Sequence, residues 1–158
     1  ASGVNLPLLT LFERMGKNVS VIDNHVKVEL DRAYQARFMI DCDYDCVYVD
    51  LDDTLIVNNK VNVDLIGFLY QTKNSGKKVV MLSRNQGVIK QILNKYSISE
   101  NLFDDIIQIT KEAKKSNYIK YAASIFIDDS FAERMDVWQN KGIPCYAPET
   151  IEVLIKAF

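Results

Sequence analysis

A chain of 158 residues with 48% apolar and 25% charged residues is long enough to bury one hydrophobic core and has a globular composition. A net charge of −2 without a long basic run gives no footing for a general nucleic-acid surface, and no apolar stretch reaches the roughly 18 residues of a membrane span. Three cysteines, Cys42, Cys46 and Cys145, are too few and too unevenly placed for a disulfide framework, which points to a reducing, cytoplasmic setting.

Residues 1–40 differ in pattern from the rest of the chain. The start, Ala1-Ser2-Gly3, has no preceding methionine and no signal-peptide character, and reads as a tag remnant or the cut edge of a longer polypeptide. Leu6, Leu8, Leu9, Leu11 and Phe12 predict a short helix that stops near Gly16. Val19 and Val21, then Val26, Val28 and Leu30, alternate around Asp23-Asn24 and predict a small hairpin with His25 at its turn. A second short helix is expected over residues 32–39. No chemistry is expected from this N-terminal α/β appendage, which could end a preceding domain.

From Cys46 a strand–helix rhythm takes over. Apolar runs at 46–49, 79–82, 106–109, 124–127 and 143–147 predict five strands. Between them lie helical stripes: Leu65, Ile66 and Leu69 up to Gly76; Val88, Ile89, Ile92, Leu93 and Tyr96; a short helix over 118–122; Phe131–Lys141 up to Gly142; and a closing helix over 150–158. The fold class is therefore α/β, a three-layer Rossmann-like parallel sheet over residues 41–158, covered on both faces. Right-handed crossovers bring every strand's C-terminal end to one edge, where such sheets bind ligands.

Polar residues close three of these strands. Asp50-Leu51-Asp52-Asp53-Thr54 ends the first, Ser83-Arg84-Asn85 the second and Asp128-Asp129-Ser130 the fourth, while Lys111, Lys114 and Lys115 precede the fourth. Convergent carboxylates repel one another unless a cation sits between them, and a hard divalent ion such as magnesium accepts carboxylate, phosphate and water oxygens. Serine and lysine suit the outer oxygens of a phosphate, as hydrogen-bond donor and point charge. A serine–histidine triad has no base here, because the single histidine, His25, lies outside the group.

The same residues resemble the haloacid dehalogenase superfamily over about residues 46–158. Its first motif, a hydrophobic strand and then Asp-x-Asp-x-Thr, is matched by Val47-Tyr48-Val49-Asp50-Leu51-Asp52-Asp53-Thr54. Its strand closed by a serine is matched by Val80-Met81-Leu82-Ser83, and its strand ending in an acidic pair by Ile125-Phe126-Ile127-Asp128-Asp129. Leu102-Phe103-Asp104-Asp105-Ile106-Ile107 looks like the family's approach to its third strand. The resemblance implies a magnesium-dependent phosphatase, a hydrolase of phosphomonoesters, with Asp50 as nucleophile and Asp52 as general acid, then base. It implies magnesium on Asp50, the backbone carbonyl of Asp52 and Asp129, with Asp128 in support. Thr54 would orient the loop and join the phosphate-binding group, and Ser83 with a lysine would clamp phosphoryl oxygens. Lys115 is preferred because residues 116–122 can form the following helix, with Lys111 and Lys114 as alternatives. Arg84 and Asn85 could contact substrate or serve structure.

Only 28 residues separate Thr54 from Ser83, and 44 separate Ser83 from Asp128, so no large cap fits; residues 55–62, with Asn58-Asn59 at the turn, look like a flap hairpin. In this family an open site implies a macromolecular substrate, or an oligomer partner or neighbouring domain that closes it; a small phosphorylated molecule stays open as substrate. A phosphotransferase with the same intermediate, and a catalytically idle binding or scaffold module, are the alternatives. Competing readings are plainer. Aspartate and serine after strands also serve turns and helix caps. Asp41, Asp43 and Asp45 have the spacing of a calcium loop, but Cys46 stands where glycine is needed. Cys42 and Cys46 lack a second ligand pair, and Trp138 and the eight tyrosines suit packing.

Overall fold

The computed structural model describes the backbone of residues 6–32 and 36–155, and their side chains outside 28–41. The chain runs α1 (Leu6–Arg14), β1 (Lys27–Arg32), β2 (Ala36–Asp41), β3 (Cys46–Val49), β4 (Ile56–Val57), β5 (Lys60–Val61), α2 (Val63–Asn74), β6 (Lys78–Ser83), α3 (Ile89–Lys95), β7 (Asp105–Gln108), β8 (Ser124–Ile127), α4 (Phe131–Lys141) and β9 (Cys145–Tyr146). Short 3-10 turns lie at Glu100–Leu102, Lys115–Tyr118 and Pro148–Val153.

Alternation along the central strands builds a core on each face of the sheet. Val47, Val49, Val79, Met81, Ile125 and Ile127 point to one face, against Leu65, Phe68 and Leu69 of α2 and Leu93 of α3. Cys46, Tyr48, Val80, Leu82 and Phe126 point to the other, against Val137 of α4, Ile119 and Ile143. Successive strand residues face opposite ways, so a strand apolar at every position must be covered on both sides. The result is an α/β, Rossmann-like arrangement in three layers, with a five-stranded sheet in the order β7-β6-β3-β8-β9 and all four pairings parallel.

That order contains one reversal. From β3 the chain moves outward through β6 to β7, then returns across β3 to lay down β8 and β9. The loops after β3 and β8 therefore diverge, opening a crevice between the carboxyl ends of two adjacent strands. Local signals end the helices as expected: Ser130 caps α4 by accepting from the Glu133 N–H at 3.4 Å, and Gly142 terminates it in a left-handed conformation (φ 65°).

The five strands lie close to their predicted positions, as do the helices after β3, β6 and β8. Residues 118–122 form no helix, because the chain makes one 3-10 turn at Lys115–Tyr118 and leads into β8. The closing helix is replaced by a 3-10 segment, Pro148–Val153, seated on the core through Ile151 and Val153; residues 156–158 lie outside the described part.

The N-terminal region departs further. α1 ends before Gly16 (φ 68°) as expected. The hairpin, however, pairs β1 with β2, Lys27 opposite Asp41 and Arg32 opposite Ala36, so residues 36–39 are strand where helix was predicted. The short apolar run 38–40 satisfies either period, and pairing across the sheet decides between them. Asp23-Asn24-His25 does turn (His25 φ 51°), but it is held elsewhere: the Asn24 amide donates to the Cys145 carbonyl at 2.9 Å and accepts from the Cys145 N–H at 2.7 Å. Trp138 Nε1 donates to the Asp23 carbonyl at 3.0 Å, and Ile22 is buried in the second core. Asn24 thus acts like one residue of an added strand, covering the open edge of β9. Residues 1–5, at the predicted cut edge, and the side chain of Asp41, first of the spaced aspartates, lie outside the described part.

Candidate functional site

β3 delivers Asp50 to the crevice. Its N–H donates to the Ile127 carbonyl at 3.0 Å, extending the ladder to β8 by one residue. The chain then makes one tight turn, with the Leu55 and Ile56 N–H groups both bonded to the Leu51 carbonyl. Leu51 and Leu55 are fully buried, and this anchors the turn by about 1.5–3 kcal/mol per side chain. Asp53 takes the left-handed conformation the turn requires (φ 51°), which a short polar side chain tolerates better than most. β4 and β5 form the expected flap hairpin, and Asn58 and Asn59 at its tip both have positive φ (51° and 58°).

β8 delivers Asp128 and Asp129. Ligand oxygens of Asp50, Asp128 and Asp129 lie within 4.8 Å of one another. Thr54 fixes the last of these: its hydroxyl donates to Asp129 Oδ1 at 3.2 Å and accepts from the Asp129 N–H at 2.9 Å. Thr54 is fully buried, and with its hydroxyl engaged as both donor and acceptor it locks one motif onto the other. Ser130 N–H donates to Asp128 Oδ1 at 2.8 Å, and Arg134 holds the carbonyls of Asp128 and Asp129 from behind.

Lys115 is the lysine brought to the cluster. It is 2% exposed, and its Nζ lies 2.6 Å from Asp128 Oδ2 and 2.8 Å from Asp50 Oδ1. Lys111 and Lys114 remain exposed, and Lys114 turns to Asp136 at 3.5 Å. One buried cation thus faces two buried carboxylates. Burial raises the Asp50 pKa to about 6; Lys115 opposes that and the Asp128 charge adds to it. Asp128 is raised as well, by burial ahead of the opposing Lys115. Burial works to lower Lys115, but the two carboxylates outweigh it and the net direction is upward. The Lys115 ammonium lies against Asp50 Oδ1 at 2.8 Å, one cation shared between two buried carboxylates with Asp129 beside them. A hard cation fits this group of surplus carboxylate.

The remaining predicted residues separate into two kinds. Ser83 closes β6, fully buried, beside Asp50's strand, and its Oγ accepts from the Asn85 N–H at 3.1 Å. Asp52 is exposed and stands outside the three-carboxylate group; the Asn85 side-chain amide donates to both its oxygens, at 3.0 and 2.9 Å. Arg84 is spent on structure. Its Nε and Nη2 bind Glu133 at 2.9 and 2.8 Å, and Nη1 binds the carbonyls of Thr110 and Lys111. Of the two readings open for Arg84, these bonds favour the structural one, because every nitrogen of the guanidinium is engaged. Among the described residues, none before Asp50 joins the acidic group. The sequence reading missed Glu133 and Gln108 as supports: neither lies in a motif, and only the fold brings them to the β6 loop. A cavity of about 420 Å³ lies beside the flap, lined by Lys60, Asp53, Asp64, Glu149 and Glu152 over Val57, Val61 and Ile151.

No family model matches the chain, and no curated protein matches it. Among solved structures it is similar to an uncharacterized protein from Corynebacterium glutamicum ATCC 13032 Kitasato, with a TM-score of 0.51 and 12% identity. The match covers 72% of this chain and 98% of that one. At that identity the likeness speaks to the fold alone, and it accords with the Rossmann-like layering. No helix is long and apolar enough to cross a membrane among the described residues.

Proposed function

We propose that this chain is a magnesium-dependent phosphohydrolase of the haloacid dehalogenase type, acting on a phosphomonoester through an aspartyl-phosphate on Asp50. One observation carries the reading: carboxylates of Asp50, Asp128 and Asp129 meet at the point where the sheet order reverses, with Lys115 wedged between two of them. The ordered motifs around Asp50, Ser83 and Asp128 support it.

Asp50 and Asp129 would hold magnesium with the backbone carbonyl of Asp52, and Asp128 in support. When bound, the ion offsets the carboxylate charge and that of the phosphoryl oxygens. A carboxylate oxygen of Asp50 forms a bond to phosphorus as the bond to the leaving oxygen breaks. The electron pair departs on that oxygen, which takes a proton from the Asp52 carboxyl. Water then attacks phosphorus and gives its proton to Asp52, releasing phosphate and the Asp50 carboxylate. Ser83 and Lys115 orient the transferring oxygens and compensate their charge.

The short flap and the exposure of Asp52 leave the cleft open to water, which favours hydrolysis over transfer to an alcohol. They also suit a phosphate displayed on a macromolecule, or a partner or neighbouring domain that completes the enclosure. A reducing, cytoplasmic setting goes with this reading.

The test is hydrolysis of p-nitrophenyl phosphate and a broad phosphoester panel with magnesium. Wild type is expected to turn over, and Asp50→Asn to lose activity by at least about 100-fold. Activity surviving in Asp50→Asn removes the nucleophile assignment. Magnesium binding without turnover of any ester leaves an idle scaffold instead.

A further inference from the structure

We infer that Asn85 is a positioning residue for Asp52, fixing the carboxyl that passes the proton, and that Gly87 and Gln108 fix Asn85 in turn. This rests on the phosphohydrolase reading and adds the device by which an uncapped site orients its acid.

β3 and β6 are parallel neighbours, with Val49 opposite Met81. Asp52 lies two residues beyond Asp50, and Asn85 two beyond Ser83, so the two loops leave the sheet side by side. An exposed aspartate has two free side-chain torsions, and nothing in its own loop restrains the carboxyl. The Asn85 Nδ2 group spans both Asp52 oxygens, at 3.0 and 2.9 Å, and among the described residues no other side chain bonds them.

Asn85 is itself oriented. Its Oδ1 accepts from the Gly87 N–H at 2.7 Å, which sets which end of the amide faces Asp52; the reverse would turn a carbonyl oxygen onto a carboxylate. A Cβ at Gly87 would lie 3.0 Å from Asn85 Oδ1 and 3.3 Å from Ile92 Cδ1, so a larger residue there would press on the Asn85 amide. From β7, the Gln108 Nε2 donates to the carbonyls of Asn85 (2.9 Å) and Gly87 (2.8 Å), tying the loop to the next strand. A continuous chain of bonds thus runs from the sheet to the Asp52 carboxyl.

Protonation of the leaving oxygen matters most when that oxygen is a poor leaving group, and little when it departs readily as an anion. A residue acting through Asp52 must therefore show its effect selectively. We measure kcat/KM, which reports steps through phosphoryl transfer to Asp50, for p-nitrophenyl phosphate and a series of alkyl phosphates. Asn85→Ala is expected to lose about 10- to 100-fold on the alkyl esters, the scale of a small misplacement, and under about 3-fold on p-nitrophenyl phosphate. Gln108→Ala, acting from behind, should reproduce the slope more weakly, and Asp52→Asn/Asn85→Ala should be no worse than Asp52→Asn alone. An equal loss on every ester, no loss on any, or additive losses in the double variant would overturn the inference while leaving the phosphohydrolase reading intact. A wild-type protein inert on all esters removes that reading and this inference with it.

Discussion

The two edges of the central sheet use the same residue types to opposite ends. At the amino edge, Lys73 pairs with Asp104 at 2.8 Å, Lys77 with Asp43 at 3.7 Å, and Lys78 donates to the Tyr121 hydroxyl at 2.8 Å, all near solvent. Burial nudges the Asp104 carboxyl upward, but the Lys73 bond and the Val79 N–H outweigh it and its pKa falls. At the carboxyl edge, Asp50 and Asp128 are buried with one lysine between them, and both pKa values rise. At the first edge Asp104 and Asp43 each face a lysine of their own. The second edge gathers more negative charge than its own residues neutralise. Convergence and burial, more than the number of aspartates, separate a solvated rim from a cluster of perturbed carboxyls.

Lys115 should break the contrast most severely. Lys115→Ala leaves two buried carboxylates without their cation, and we expect a loss of about 3 kcal/mol in stability and at least about 100-fold in phosphatase rate. Denaturant titration and p-nitrophenyl phosphate turnover measure the two effects, and stability unchanged in Lys115→Ala would show that the cluster is not under strain.

Asp50→Asn should do the reverse to stability. The folded protein holds the Asp50 proton up to about 6, above the ordinary carboxylate value of 3.8. The group therefore favours the folded state at low pH, and that contribution is lost as pH rises through this window. Asp50→Asn, which does not titrate there, should exceed metal-free wild type by about 1–3 kcal/mol at pH 7–8, with the gap closing towards pH 4. Magnesium should raise the wild-type Tm at pH 7.5, by about 2.7 kcal/mol of stabilisation at a hundredfold excess over Kd, and raise Asp50→Asn far less. A wild type indifferent to magnesium in thermal melts would count against a cation at the cluster.

Smaller effects belong to the parts that do not converge. Asn24→Ala uncouples the N-terminal segment from β9 and should cost about 1–2 kcal/mol, leaving kcat unchanged. Lys73→Met at the amino edge should cost less than about 1 kcal/mol, with no change in turnover. A large rate effect from either would dissolve the distinction between the edges.

Much of this was readable from residue order. The runs at Cys46–Val49 and Ile125–Ile127 are apolar at every position, which suits a strand covered on both faces. The aspartates and serine that close these strands followed directly, because a parallel sheet sends its carboxyl ends to one edge. Shorter and less regular stretches were not legible. Residues 36–39 suit a helix or a strand by local pattern, and 118–122 carry apolar residues that the fold spends on a single turn and a strand approach.

The order of apolar runs and the residues after them determined the layered α/β fold and the edge on which its acidic groups lie, since side-chain period and crossover handedness are local rules. Which lysine enters the cluster, that Arg84 is consumed by Glu133, and that Asn85 reaches Asp52 were decided only by tertiary structure. These pairings join residues 13, 49 and 33 positions apart, and the geometry that unites them comes from strand order, which no local pattern encodes.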